Sequence, residues 1–277
     1  MRLATIRTAD GTQAVRVDGD RYAPLGAPDV GAVLASPDWS RTAAAAGPAE
    51  TPLDGVEYAP LVPSPGKIIC VGLNYRAHIL EMGRELPQAP TLFAKYAESL
   101  IGAADPIALP PETEGMDWEA ELAVVVGATV RRASQEEAAS AIAGFTVLND
   151  VTMRDWQNRT KQWLQGKTFE GTTPLGPVLV TPDELPGGTT PALELSCTVD
   201  GEQVQKAATD DLVFGPVELV RYISTVLTLK PGDVIATGTP GGVGHARKPP
   251  RYLADGSRVV TEISGIGRLE NTVRAES

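Results

Sequence analysis

Two glutamates open an otherwise apolar run, "MDWEAELAVVVG", at residues 116 to 127. In a β-strand, residues two apart point to the same side, about 6.5–7 Å from each other, so Glu119 and Glu121 can turn toward one point. At about 5 Å and an effective dielectric of 20, two carboxylates repel by roughly 3 kcal/mol, which forces protonation of one unless a cation intervenes. The pair therefore indicates a site for a divalent cation.

A third carboxylate, Asp150, ends the next apolar strand, "FTVLND". A neighbouring strand could bring it to the same point as Glu119 and Glu121. Three oxygen ligands without a histidine favour a hard cation such as Mg²⁺ or Mn²⁺, and Ca²⁺ is an alternative. The competing interpretation is that both glutamates lie on the wet face of a half-exposed strand and that Asp150 only caps a turn.

A glycine-rich stretch, "GTPGGVG", follows the apolar strand "VIATG". Backbone amides around Thr239, Gly241 and Gly242 can form an anion nest for a substrate carboxylate or keto oxygen. The stretch is not a nucleotide loop, because it lacks the G-K-[ST] ending and has Pro240 where G-x-G-x-x-G requires its second glycine. For His245, just beyond this loop, we favour a structural or loop role.

Composition limits the class of protein. The chain has 277 residues, 42% of them hydrophobic, and a net charge of −11, which would repel a phosphate backbone or an anionic membrane surface. We therefore expect neither nucleic acid nor a membrane as a partner. Cys70 and Cys197 lie in apolar strand-like runs, which suits reduced core residues. Together with the absence of a signal-peptide pattern in the first twenty residues, this predicts a cytoplasmic protein.

The order of the predicted elements indicates an α+β protein that is mostly β. Strand-like runs dominate, and "LELSCTVDGEQV" predicts a hairpin around Asp200 and Gly201. The clearest helix is "SQEEAASAIAG", with Ser134 as its cap, Glu137 at the capping-box position and Gly144 as its end. The proline-rich "TPLDGVEYAPLVPSPGK" is a plausible boundary. We predict a small N-terminal domain, residues 1–62, and a catalytic domain, residues 63–277.

Several motifs, taken in order, resemble the fumarylacetoacetate hydrolase family, specifically the C-terminal catalytic domain of small bacterial acylpyruvate hydrolases and related isomerases. The resemblance covers about residues 64 to 273. It rests on "KIICVGLNYRAHILEMG", "PTLFAKYAESLIG", "WEAELAVVVG", "FTVLNDVTMRDWQ", "QGKTFEGTTPLGP" and "GDVIATGTPGGVG". It implies a mixed β-sheet roll with short outer helices, preceded by a small N-terminal domain, and a homodimer.

The resemblance also implies roles for individual residues. Glu119, Glu121 and Asp150 would hold the metal, with Lys167 beside it. His78 and Glu81 would form a dyad on a short lid helix that orders over bound substrate. Their H-x-x-E spacing puts both side chains on one helical face, where the carboxylate can orient the imidazole. The alternatives are a surface histidine beside an unrelated glutamate and a solvated surface lysine.

Further residues would contact the substrate. The resemblance puts Gln157 at a substrate-contacting position, and Thr239 with Gly241 would hold the carboxylate. We also expect Tyr75 and Arg154 near the substrate, although Arg154 could instead form a structural ion pair. Specificity would come from lid residues: Ile79, Leu80, Met82 and Arg84.

The leading hypothesis is hydrolysis of a carbon–carbon bond in a 1,3-diketo acid of the acylpyruvate or fumarylpyruvate type. The metal would stabilise the enolate that leaves, and the His78–Glu81 pair would deprotonate the attacking water. The same site could instead isomerise a 2-hydroxy-diene-dioate or decarboxylate oxaloacetate. From another class, a non-catalytic protein would bind Ca²⁺ for stability, and an iron oxygenase would need His78 and His245 in one site.

Overall fold

The computed structural model describes residues 1–81 and 83–276, and strands dominate it. Eighteen strands lie within the described residues: β1 (Arg2–Thr8), β2 (Gly11–Asp18), β3 (Arg21–Pro24), β4 (Thr51–Pro52), β5 (Ile68–Gly72), β6 (Thr91–Lys95), β7 (Leu100–Ile101), β8 (Ile107–Leu109), β9 (Met116–Asp117), β10 (Ala120–Val126), β11 (Ile142–Asn149), β12 (Thr152–Met153), β13 (Thr173–Val180), β14 (Glu194–Val199), β15 (Glu202–Ala208), β16 (Val234–Ala236), β17 (Arg258–Ile263) and β18 (Gly267–Ala275). The prediction of a mostly β, α+β fold is confirmed.

The helices are short. They are α1 (Val30–Leu34), α2 (Trp39–Ala44), α3 (Arg76–Glu81), α4 (Gln135–Ser140), α5 (Arg154–Gln157), α6 (Leu164–Lys167) and α7 (Pro216–Val226). Single 3₁₀ turns occur at Ala97–Ser99, Pro182–Glu184, Thr209–Asp211 and Gly244–Ala246. In the part of the chain that the structure describes, no helix is long and apolar enough to cross a membrane.

One large mixed sheet carries the site. Its strand order is β4-β3-β2-β1-β13-β11-β10-β16-β5-β6, and β7 pairs with β13 beside this path. A second sheet has the order β15-β14-β17-β18-β8, and β9 and β12 form a separate pair. Residues of β14, β17 and β18 join those of β10 and β11 in one buried apolar cluster, so the second sheet packs on one face of the first.

Strand β10 lies near the centre of the large sheet, paired with β11 on one side and β16 on the other. Its even-numbered residues, such as Leu122 and Val124, pack in the cluster shared with the second sheet. Its odd-numbered residues, such as Ala123 and Val125, pack in another cluster that includes α1. The strand is therefore buried on both faces, which explains its continuous apolar sequence. Glu121 continues the odd-numbered face.

Three sequence predictions for the turns and helices had different outcomes. The hairpin is confirmed, because β14 pairs with β15 and Asp200 and Gly201 both have positive φ. The capping box of Ser134 and Glu137 is also confirmed. The predicted end of that helix at Gly144 is wrong, because α4 ends at Ser140 and Gly144 lies inside β11. A Cβ at Gly144 would lie 2.4 Å from the carbonyl oxygen of Val180, so close strand packing explains this glycine.

The N-terminal region extends the large sheet. Strand β1 pairs with β13 through contacts such as Leu3 with Leu179, and β2 to β4 continue outward from β1. The division into residues 1–62 and 63–277 remains a prediction from the sequence. The two cysteines, Cys70 and Cys197, are free and buried, as expected for reduced core residues.

The burial of β10 leads to a test of stability. Leu122 is 0% exposed between the two sheets. Leu122→Ala should lower the free energy of unfolding by about 2–5 kcal/mol, because it removes apolar contacts and leaves a cavity. Urea denaturation measures the loss. Val226→Ala is the control, because Val226 is 62% exposed and should change stability by less than about 0.5 kcal/mol. Equal effects of both changes would contradict this packing.

Candidate active site

Three carboxylates meet where β10 begins and β11 ends. Ligand oxygens of Glu119, Glu121 and Asp150 all lie within 4.8 Å of one another, and all three residues are buried. The backbone brings them together, because the amide of Asp150 donates to the carbonyl of Glu119 at 2.8 Å. The alternative of a wet strand face is wrong, since Glu121 is 1% exposed and Asp150 0%.

Buried cations compensate two of these carboxylates. The ammonium of Lys167 donates to Glu119 Oε2 at 2.8 Å and to Asp150 Oδ2 at 2.7 Å. Lys95 donates to the other oxygen of Asp150 at 2.7 Å. Although burial alone would raise the pKa of Asp150, the two lysines lower it below its usual 3.8. Burial alone would lower the pKa of the Lys167 ammonium, but the charges of Asp150 and Glu119 outweigh this effect and raise the pKa.

Arg154 completes this ionic cluster. Its guanidinium pairs with Glu119 Oε1 at 2.7 Å and with Asp117 at 2.8 Å, and it also donates to Gln157 Oε1 at 3.0 Å. Burial alone would lower the pKa of Arg154, but Glu119 and Asp117 raise it, so the group stays charged. Arg154 thus forms structural ion pairs and also lines the cavity described below.

Glu121 is the third carboxylate of the cluster, and no lysine or arginine among the described residues forms a salt bridge with it. It accepts one backbone hydrogen bond, from Gly238 at 2.7 Å. Burial, followed by the charges of Asp150 and Glu119, raises the pKa of Glu121 well above 4.5. A divalent cation held by the three carboxylates would remove this conflict, and an all-oxygen donor set suits a hard cation. The residues present therefore fit a metal ion.

A cavity of about 290 Å³ opens onto this cluster. Of the predicted site residues, seven contribute to its lining: His78, Arg84, Glu119, Arg154, Gln157, Lys167 and Thr239. Tyr75 does not line this cavity; it is a buried residue that bridges to Leu212. The Thr239 hydroxyl is already engaged, because it donates to Ala120 O at 3.0 Å and accepts from Gln205 at 2.8 Å.

His78 and Glu81 lie on α3, which is attached to the body by a hydrogen bond from Ala77 N–H to Asp211 at 3.0 Å. Both residues approach Gly241, where an added Cβ would lie 3.0 Å from His78 Nδ1 and 3.6 Å from Glu81 Oε2. No hydrogen bond among the described residues joins the pair. Burial lowers the pKa of His78 below 6.5, against the opposing charge of Glu81, so the imidazole is a neutral base at neutral pH.

The sequence analysis missed several residues of the site. Lys95 ends the apolar strand β6, a position where a charged residue is a signal of function or pairing. Phe93 and Trp163 form an aromatic wall of the cavity, with ring centroids 5.4 Å apart, and Trp163 packs against Gly72. His245 lines the cavity as well, and the structural or loop role that we favoured for it stays a prediction. Met82 lies outside the described residues.

Both histidines line one cavity, as an iron oxygenase would require. Among residues 1–81 and 83–276, however, Glu119, Glu121 and Asp150 are the only group of three potential metal ligands whose donor atoms lie close together. The geometry therefore favours a hard cation over an iron site with two histidine ligands.

Comparisons with known proteins agree with this fold. Residues 67–274 match the family model of the fumarylacetoacetate (FAA) hydrolase C-terminal domain. The human mitochondrial oxaloacetate tautomerase FAHD2A is 44% identical over 224 residues, which cover 80% of this chain and 71% of that protein. A solved fumarylacetoacetate hydrolase from Exiguobacterium antarcticum aligns with a TM-score of 0.86 at 33% identity, over 100% of both chains. A solved 5-carboxymethyl-2-hydroxymuconate delta-isomerase from Mycobacterium smegmatis aligns with a TM-score of 0.80 at 34% identity, also over 100% of both.

The environment of His78 predicts its titration. Because burial disfavours the charged imidazole, its NMR titration midpoint should lie below 6.5. Glu81→Gln should lower the midpoint further, since the Glu81 charge raises the pKa. The chain has two histidines, so His245→Asn assigns the signals. A midpoint above 6.5, or an upward shift in Glu81→Gln, would show that the surroundings of His78 are described wrongly.

Proposed function

The chain belongs to the fumarylacetoacetate hydrolase family, and we propose that it interconverts the keto and enol forms of a small 2-oxo diacid of the oxaloacetate type. The reaction removes a proton from the carbon beside the keto group and adds a proton to the keto oxygen, or the reverse. One observation carries this proposal: His78, a half-buried neutral base, lines the same small cavity as Glu119 and Lys167.

The size and lining of the cavity support a short, charged substrate. Its volume of about 290 Å³ lies at the lower limit of ligand pockets, which span about 300–1,000 Å³. Arg154, Lys167 and Gln157 offer hydrogen-bond donors to a carboxylate or keto group. The name of the human relative, an oxaloacetate tautomerase, supports the same substrate class.

We assign the metal site to Glu119, Glu121 and Asp150, with Mg²⁺ or Mn²⁺ as the expected ion and Ca²⁺ as the alternative. The all-oxygen donor set and the unpaired charge of Glu121 support this assignment. When bound, the ion would supply Lewis-acid polarisation of the oxygens of a 2-oxo acid.

Lys167 and Arg154 stabilise and orient the substrate in this scheme. Two of the three ammonium hydrogens of Lys167 go to Glu119 and Asp150, so the third can donate to the keto oxygen as negative charge develops there. Arg154 uses three of its five N–H groups on protein partners, which leaves two for a substrate carboxylate. Because Gln157 accepts from Arg154 through Oε1, its amide nitrogen can donate to the substrate.

His78 moves the proton at carbon. Its neutral imidazole accepts a proton from the carbon beside the keto group, and the nearby Glu81 carboxylate stabilises the imidazolium that results. Keto–enol interconversion needs this base and stabilisation of the enolate, and it needs no bound water. It is therefore the least demanding reaction for this set of residues.

Hydrolysis of an acylpyruvate is the second candidate, and the approach of His78 and Glu81 to the same point near Gly241 favours it. Such a pair could deprotonate a water that attacks the distal carbonyl. The solved relative from Exiguobacterium antarcticum is named as a hydrolase. Isomerisation of a 2-hydroxy-diene-dioate and decarboxylation of oxaloacetate would use the same stabilised enolate.

A substrate screen separates these candidates. The protein is mixed with Mg²⁺ or Mn²⁺ and with oxaloacetate, acylpyruvates, fumarylpyruvate or ring-cleavage dienoates, and the enol absorbance is followed. We expect faster decay of enol oxaloacetate without release of pyruvate. Cleavage of acylpyruvates without any effect on oxaloacetate would favour hydrolysis instead. Stabilisation by Ca²⁺ without turnover of any of these acids would indicate a non-catalytic metal-binding protein.

Replacement of Glu121 tests the metal assignment. Glu121→Gln keeps an acceptor for Gly238 N–H but removes one charge, so it should abolish both activity and the rise in melting temperature that Mg²⁺ or Mn²⁺ causes in the unchanged protein. Differential scanning fluorimetry with and without metal measures this rise. Glu136→Gln, on the exposed face of α4, is the control. An unchanged metal response in Glu121→Gln would rule out Glu121 as a ligand.

The homodimer and the cytoplasmic location remain predictions from the sequence. We retain both as proposals beside the enzymatic function.

A further inference from the structure

We infer that Asp117 is a positioning residue of this site. It fixes the guanidinium of Arg154 and, with the same carboxylate, the 3₁₀ turn Gly244–Ala246 that brings His245 to the cavity. The inference about substrate affinity rests on the proposed function, whereas the inference about the turn does not.

Four N–H groups converge on the Asp117 carboxylate, which is 0% exposed. Oδ1 accepts from the amides of Trp118 at 2.9 Å and Gly244 at 2.7 Å. Oδ2 accepts from the amide of His245 at 3.0 Å and from Arg154 Nε at 2.8 Å. Both oxygens are therefore fully used, and the charge of Asp117 is compensated by Arg154 alone among the described cations.

The Arg154 contact sets the direction of a cavity-lining group. With Nε held by Asp117, the planar guanidinium can reach Glu119 Oε1 at 2.7 Å and Gln157 Oε1 at 3.0 Å. Because the group is planar and its donors have fixed directions, these three partners also fix where its remaining N–H groups point. Asp117 thus acts on the substrate through Arg154.

The contacts of Asp117 with Gly244 and His245 position a second part of the cavity lining. Gly244 is packed so closely that an added Cβ would collide with the carbonyl of Arg251 and lie 2.8 Å from Asp117 Oδ1. The next residue, His245, lines the cavity, and its Nδ1 lies 2.8 Å from the hydroxyl of Tyr252. One carboxylate therefore joins two parts of the chain that are 90 residues apart and that both line the cavity.

A carboxylate suits this position better than its amide. An asparagine would present an NH₂ group toward at least one pair of N–H donors, in place of an acceptor. Asp117→Asn should therefore release either the turn or Arg154 while it leaves the volume of the side chain nearly unchanged. Loss of a group that orients a metal ligand typically costs about 10- to 100-fold in metal affinity or activity, and we expect an effect of the same size from loss of the contact between Asp117 and Arg154.

Asp233 offers a matched control. It is also 0% exposed, pairs with Lys67 at 2.7 Å and accepts from the amide of Lys230 at 2.7 Å, but it does not line the cavity. Asp233→Asn therefore removes a buried, paired charge outside the cavity, although only Oδ2 of Asp233 has partners whereas both oxygens of Asp117 do. A purely structural role of Asp117 predicts that neither variant raises KM.

The experiment compares Asp117→Asn and Asp233→Asn in the full chain with Mg²⁺. Imidazole NMR signals report on the turn, since the chain has two histidines, and steady-state kinetics with oxaloacetate report on Arg154. We expect shifted His245 signals and a KM raised about 10- to 100-fold, with a smaller change in kcat, in Asp117→Asn alone. His245 signals and KM values that match those of Asp233→Asn would overturn the inference.

Two further outcomes remain decisive. If the unchanged protein turns over no 2-oxo acid, the proposed function fails, but the His245 signals still test the role of Asp117 in the turn. If Asp117→Asn does not fold, Asp117→Glu keeps the negative charge but moves the carboxylate by one methylene group. Shifted His245 signals and a raised KM in that variant support the inference, and values equal to those of the unchanged protein contradict it.

Discussion

Compensation of buried negative charge is the interaction on which this site depends. The cluster holds four buried acidic residues: Asp117, Glu119, Glu121 and Asp150. It holds three buried basic residues: Lys95, Arg154 and Lys167. The acids exceed the bases by one, and the excess falls on Glu121, which has a backbone amide as its hydrogen-bond partner. A buried carboxylate without a cation is costly, so the side chains of the cluster lack about one positive charge. A doubly charged ion would reverse that balance.

Local periodicity explains which parts of this cluster can be predicted from sequence. The spacing of Glu119 and Glu121 requires only that β10 is a strand, and Asp150 requires only that the next strand is its neighbour. Lys95 could not be found in this way, because β6 reaches the site through the order of strands in the sheet. The approach of His245 to the cavity could not be predicted for a similar reason, since its position depends on a contact with Asp117, which is distant in sequence.

Gly144 illustrates a different limit. A glycine after an amphipathic run is a common end of a helix, and the sequence alone favoured that interpretation. In the structure, Gly144 instead lies in β11, where the carbonyl of Val180 is too close to leave room for a side chain. Both roles demand a missing Cβ, so the residue type cannot distinguish them. The capping box at Ser134 was predictable because it involves two side chains and backbone amides within one turn.

Strand β10 and the residues just before it place the ionic cluster directly against the most buried part of the molecule. All residues from Ala120 to Val126 are buried, Glu121 among them, and Glu119 directly precedes this strand. The rim of the cavity is formed instead by exposed residues outside the core strands, such as Leu73, Arg84, Asn158 and Ala246. During evolution, substitutions in the core strand would damage folding and catalysis together, whereas substitutions at the rim could redirect substrate choice at little cost to stability. Such an arrangement lets new activities arise by drift in loops around an ancestral catalytic centre that stays unchanged.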